Sequence, residues 1–187
     1  MEGKIPVRIT WMKNEKGIIE SEVLIGLDDV FSEGISISKK IEKFKKRYIE
    51  LVKKSQKIMP KDKSKRKTSH FWKIGKLLYD FNKSIENEFE ITNYQQAVIR
   101  DFGLYDRSQV GHIIQFGEFF KKKDITDEIS MSTYLELIWK ANLFKKAGNL
   151  EKEKKRLLRR AKDKTLSPHK EYRKELNALI KSKSLEG

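Results

Sequence analysis

The chain has 187 residues, 37% of them hydrophobic, which sets the expectation of one domain with a modest core. Lys and Arg number 42 against 27 acids, a net charge of +15, which is the footprint of a polyanion binder. The absence of cysteine excludes disulfides, thiolate metal sites and a cysteine nucleophile. No apolar run approaches the roughly 20 residues that cross a bilayer, and the N-terminus lacks a signal-type apolar stretch. The expectation is a soluble cytoplasmic protein with no membrane partner.

Residues 1–34 read as a β-hairpin segment: IPVRITW and IIESEVLI alternate or are β-branched, with NEKG between them. Two strands alone are marginal in water, so this hairpin needs helices or another chain to pack on. Residues 35–68 read as a basic helix and linker. Ser36 or Ser38 caps the helix, Ile41, Phe44, Tyr48, Leu51 and Val52 form its apolar face, and it ends near Ile58. Its other face is lysine. Residues 39–76 hold 16 Lys and Arg and only three acids, Glu42, Glu50 and Asp62. The stretch MPKDKSKRKTS at 59–69 has the composition of a mobile loop or basic arm.

Residues 69–183 read as a helical, helix-turn-helix-like domain. SHFWKIGKLLYDFNKSI is strongly amphipathic, and Trp72 is assigned to packing rather than to base stacking. Thr92-Asn-Tyr-Gln95 fits a capping box that opens the next helix. Gly103 stands where a left-handed C-cap is required. Asp106-Arg-Ser-Gln109 repeats the capping-box pattern and starts a second helix with Val110, Ile113, Ile114 and Phe120 inward. Val110 lies seven positions after Gly103, one more than the commonest bacterial helix-turn-helix spacing. Residues 131–147 read as one helix capped by Ser132, with Leu135, Ile138, Trp139 and Leu143 on one face. Gly148-Asn149 breaks it. A basic helix follows to about Leu166, and Ser167-Pro168 opens the last one, with proline in its first turn.

The second helix of the pair presents Arg107, Ser108, Gly111, His112 and Gln115 outward. Arg, Ser and Gln hydrogen-bond base edges or phosphates. Gly111 costs about 1 kcal/mol relative to Ala inside a helix but lets another surface, DNA or a neighbouring helix, come close. Chemistry is not expected. His70, His112 and His169 are far apart in sequence, and no H-E-x-x-H, phosphate-cradling loop or G-x-S-x-G occurs. Asp28-Asp29 lacks a supporting Glu-x-Lys strand. No enzyme, cofactor, metal or small-molecule substrate is expected.

SHFWKIGKLLYDF resembles the YWxIG helix that opens the N-terminal domain of YhcG-type predicted nucleases. IRDFGLYDRSQVGHIIQF resembles that family's FGxGFSxxNLxxMRQF stretch. The segment from SMSTYLELIW to HKEYRKEL is similar to its SWSHYxELL…ExRxxYLxxAxxxxWSxxxLxRxI stretch, with Met131 in place of Trp, and has ParB/KorB-like helix-turn-helix character. The resemblance covers about 69–180. It implies a DNA-binding helical module, using Arg107, Ser108, Gln109, His112 and Gln115.

The expectation is thus a mainly α, helix-turn-helix-containing protein with a small N-terminal β-hairpin. It binds double-stranded DNA, as a regulator, in plasmid or phage maintenance, or as a DNA-targeting subunit. Phosphate contacts are assigned to Lys63, Lys65, Arg66, Lys67, Lys73, Lys155, Arg156, Arg159 and Arg160. A homodimer is compatible. RNA binding or a non-catalytic assembly role are the rival readings. Single-stranded RNA readers display aromatics on a sheet or loop, whereas most aromatics here fall on apolar helix faces.

Overall fold

A computed structural model describes residues 4–13, 19–25, 34–92, 94–104, 106–146 and 150–184. The chain is mainly helical. Strands β1 (Ile5–Lys13) and β2 (Ile19–Ile25) pair antiparallel, with Val7 opposite Ile25 and Lys13 opposite Ile19. The NEKG link between them, the Asp28-Asp29 pair and the Gly148-Asn149 break lie outside the described residues.

A third strand, β3 (Phe89–Thr92), lies parallel to β1 and gives the order β2-β1-β3. The sequence reading missed it. Thr92 ends this strand instead of capping a helix, and the next helix begins at Tyr94. The hairpin, marginal alone, is thereby extended to a three-stranded sheet from within the chain.

The helices are α1 (Gly34–Ile58), α2 (Thr68–Ile85), α3 (Tyr94–Phe102), α4 (Arg107–Phe119), α5 (Met131–Trp139), α6 (Ala141–Lys146), α7 (Leu150–Lys162) and α8 (His169–Ser184). Helix α1 starts at Gly34, so Ser36 and Ser38 lie inside it. The expected helix over 131–147 is two: Lys140 leaves helical geometry between α5 and α6. Its cap is Ser130, whose hydroxyl accepts from Thr133 N at 3.2 Å, and not Ser132. Trp139 and Leu143, expected on the buried face, are 48% and 49% exposed; Leu135 is buried as expected, together with Tyr134 and Leu137.

Two apolar clusters share α4. The first joins Val7 and Ile9 of β1, Ile41, Phe44 and Tyr48 of α1, Ile74, Leu78 and Phe81 of α2, Val98 of α3, and Val110 and Ile113 of α4. Phe44 centres it, with ring centroids 5.0 Å from Phe89 and 5.8 Å from Phe81. The second joins Phe116 of α4 to Tyr134, Leu137, Phe144, Leu157, Tyr172 and Leu176 of α5 to α8. Trp72 of α2 packs against this second cluster and donates its indole N–H to Phe120 O at 2.9 Å. No helix among the described residues is long and apolar enough to cross a membrane.

Candidate nucleic-acid interface

Helix α3 ends as its sequence requires. Gly103 has φ +62°, Leu104 N donates to Ile99 O at 2.9 Å and Gly103 N to Arg100 O at 3.3 Å. This is a Schellman cap, which needs a left-handed residue that glycine adopts without strain. Three residues after Gly103, Asp106 caps α4 by accepting from Gln109 N at 2.8 Å.

What fixes α4 is a pair of glycines that the sequence reading passed over. A Cβ built on Gly117 would lie 2.1 Å from Lys76 N, and one on Gly75 would lie 1.9 Å from Ile113 O. The backbones of α2 and α4 therefore touch at this crossing. Each glycine sits inside an amphipathic helix with no turn chemistry around it, which was the available signal for a packing role. Gly111 is the opposite case: a Cβ there would meet nothing within 4 Å.

With Val110, Ile113 and Phe116 buried, α4 turns a defined face outward. Arg107, Ser108 and Gln115 are exposed. Gln109 and His112 are half-buried. The His112 ring lies edge-on to Trp139, with centroids 5.4 Å apart, and its Nδ1 is 3.4 Å from Ser108 Oγ. Of the five residues assigned to base contact, three face outward and two are partly taken up by the protein. Glu118, exposed one turn beyond Gln115, limits the face on its acidic side.

The residues assigned to phosphates divide more sharply. Lys63, Lys65, Lys67, Lys73, Lys155 and Arg159 are exposed; Lys65 lies 3.9 Å from Asp62. Arg66 does different work. Its Nη1 donates to Gly103 O at 2.7 Å and its Nε to Pro60 O at 3.1 Å, so it ties the 59–67 connection to the α3–α4 turn. That connection is built as a tethered link and not as a free arm. Asp62 caps a one-turn 3-10 helix at Lys63–Lys65, and Thr68 Oγ1 donates to Ile129 O at 2.7 Å.

Arg160 is also internal: it forks onto Glu175 and donates to Thr165 O at 3.0 Å and Ser167 Oγ at 2.7 Å. The bonds from Arg160 and Ser167 hold the Glu175 carboxyl below its ordinary pKa despite burial. Arg156 stands 3.4 Å from Glu153 and 3.6 Å from Glu175. What α7 leaves to solvent is a stripe of Lys152, Lys155, Arg159 and Lys162, none with an ion pair among the described residues. Lys152, Lys155, Arg156 and Arg159 line a groove of about 390 Å³.

A second ionic centre joins α5 to α8. Glu136 is fully buried. It accepts from Arg173 Nε at 2.7 Å and from Lys140 at 3.3 Å, and lies 3.0 Å from His169 Nε2. Burial pushes its carboxyl up, but these hydrogen bonds outweigh that effect and hold it below the usual glutamate range. His169, which sequence spacing left isolated, is thus one of three side chains gathered on Glu136. Among the described residues no group of three His, Asp or Glu is placed to hold a metal ion.

No family model, no curated protein and no solved structure matches the chain.

Proposed function

We propose that the protein binds double-stranded DNA, with the outer face of α4 against the duplex and flanking lysines on its phosphates. One observation carries this reading. A helix seated backbone-to-backbone on α2 leaves Arg107, Ser108 and Gln115 exposed, with open space over Gly111 between them. A net charge of +15 supports it, as does the resemblance of residues 69–180 to a DNA-binding module. Phosphate contacts dominate the affinity of such proteins and make it salt-dependent.

The test is fluorescence anisotropy with labelled duplex DNA, single-stranded DNA and duplex RNA across a salt series. Duplex DNA is expected to bind most tightly, with a steep log-linear salt dependence. Replacing Arg107 and Gln115 together by Ala is expected to cost roughly 1–3 kcal/mol of binding, the worth of a base contact, with the melting temperature unchanged. Equal loss of all three probes at moderate salt rejects the reading. A protein-assembly role, including a homodimer, is the second reading. Two half-exposed large apolar residues, Trp139 at the end of α5 against His112 and Leu143 in α6, favour it, and a concentration-dependent mass in solution would support it.

A further inference from the structure

The outer edge of β3 lies beside a cavity. Among the described residues the order β2-β1-β3 leaves β3 at the sheet edge. Ile5 N donates to Glu88 O at 2.9 Å, and Ile5 stands opposite Phe89. In a parallel ladder this register directs the backbone groups of Glu90 toward β1 and those of Phe89 and Ile91 outward. Beside that edge lies a cavity of about 500 Å³ between the end of α2, the start of α3 and β3. Its apolar lining is Ile85, Phe89, Ile91 and Tyr94. The Tyr94 hydroxyl is buried and has no hydrogen-bond partner among the described residues.

The charge here is reversed. Residues 84–92 contain Glu86, Glu88 and Glu90 and no Lys or Arg, in a chain that is otherwise strongly cationic. All three glutamates are exposed, although Glu86 shares Lys83 at 3.2 Å and Lys4 reaches the rim. The C-terminus of α2 ends at this place, and its partial negative charge adds to theirs. A sheet edge that pairs with no further strand among the described residues, a cavity beside it with Ile85, Phe89, Ile91 and Tyr94 in its lining, and an acidic rim together specify an occupant: a strand with alternating basic and apolar side chains.

We propose that β3 is a strand-addition site for an extended basic segment of a partner protein. The segment hydrogen-bonds to the outward backbone of Phe89 and Ile91, seats an apolar side chain over Tyr94, and sets its basic side chains against Glu86 and Glu90. The site is separate from the α4 face, so its test does not depend on nucleic-acid binding.

The probe is a labelled decapeptide of alternating Lys and Val, with an alternating Glu and Val peptide as its counterpart, followed by anisotropy against the full chain at physiological salt. The net charge of +15 disfavours a cationic peptide over most of the surface, and the substitutions at Glu86 and Glu90 separate this site from the other acidic stretch, 124–128. The Lys-Val peptide is expected to bind, and the Glu-Val peptide not to compete for its site. Replacing Glu86 and Glu90 together by Lys, both exposed, is expected to weaken binding at least tenfold without altering the far-ultraviolet circular dichroism. Ile91→Pro removes an outward N–H while sparing the bonds to β1, and is expected to weaken binding to a similar degree. No binding to the wild-type chain, or undiminished binding to the double Lys variant, overturns the proposal. Loss with the double variant but full binding by a folded Ile91→Pro chain overturns the strand-addition mode.

Discussion

The glycine contact between α2 and α4 gives the most demanding prediction, because the same substitution at two positions of one helix should act with opposite signs. A Cβ on Gly117 meets Lys76 N at 2.1 Å and the Gly75 carbonyl carbon at 2.2 Å. Both are backbone atoms, so no side chain can swing aside and the helices must part by about 1 Å to restore van der Waals distance. A gap of that size forfeits about a quarter to a half of the dispersion energy across the seam. Along it lie Ile74, Leu78, Ile113 and Phe116, all fully buried. Overpacking of this kind costs about 3 kcal/mol, and the better helix propensity of Ala returns about 1 kcal/mol. Gly117→Ala should therefore be destabilised by about 2 kcal/mol, which lowers the melting temperature of a chain this size by about 4–8 °C. Gly111→Ala meets nothing within 4 Å and should gain up to about 1 kcal/mol. Thermal melts followed by circular dichroism read both. If Gly117→Ala melts at or above the wild-type temperature, the backbone contact is wrong, and with it the placement of α4.

Lys164 has φ +53° and ends α7 as a non-glycine Schellman residue, with Thr165 N donating to Arg160 O at 2.9 Å. Lys164→Gly should stabilise the fold by about 1 kcal/mol, since a left-handed residue with a Cβ carries a strain of that order; chemical denaturation with an unchanged m-value is the check. Glu136 has a folded pKa below its unfolded value of about 4.3, so its stabilisation is fully present above that value and is lost as pH falls toward the folded one. Urea midpoints between pH 6 and pH 3 should therefore fall less steeply for Glu136→Gln than for the wild type, although the variant is weaker at pH 6; parallel slopes would refute the assignment. Arg66→Ala should cost about 1–3 kcal/mol through the orphaned Gly103 carbonyl, whereas Lys65→Ala, exposed beside Asp62, should change stability by less than about 0.5 kcal/mol.

Where local chemistry decided structure, the sequence was legible. The Gly103 cap, the Asp106 cap and the apolar faces of α1, α2 and α4 follow from single residues or from helical spacing, and each stands where that chemistry puts it. Strand β3 escaped because FEIT is too short to show alternation, and a parallel partner 84 residues from Ile5 in register (Phe89) leaves no local mark. The break at Lys140 escaped because ANLFKK continues the helical spacing of MSTYLELIW without a glycine or proline. Arginine posed a different difficulty. Arg66, Arg107, Arg159 and Arg160 look alike in a basic sequence. Only the tertiary partners Gly103 O and Glu175 separate the two that hold the fold from the two that face solvent.

That separation bears on what kind of binder this chain makes. Of its nine arginines, Arg66, Arg100, Arg156, Arg160 and Arg173 are engaged by acceptors within the protein. The planar guanidinium fork suits such buried and bidentate pairs, and the same fork is what reads guanine in a major groove. The outward cations on α1, the 59–67 connection and α7 are mostly lysines, compact charges suited to phosphates without regard to base. On the proposed nucleic-acid reading, most of the affinity is therefore sequence-independent, and discrimination falls to the short face of Arg107, Ser108 and Gln115. Sequence preference should then be modest and confined to a few base pairs. It should vanish in the Arg107→Ala, Gln115→Ala chain, while the salt slope, set by the lysines at about 0.9 per phosphate neutralised, stays nearly as steep as before. If the slope collapses along with the preference, α4 supplies the phosphate contacts too, and the lysine faces serve another purpose.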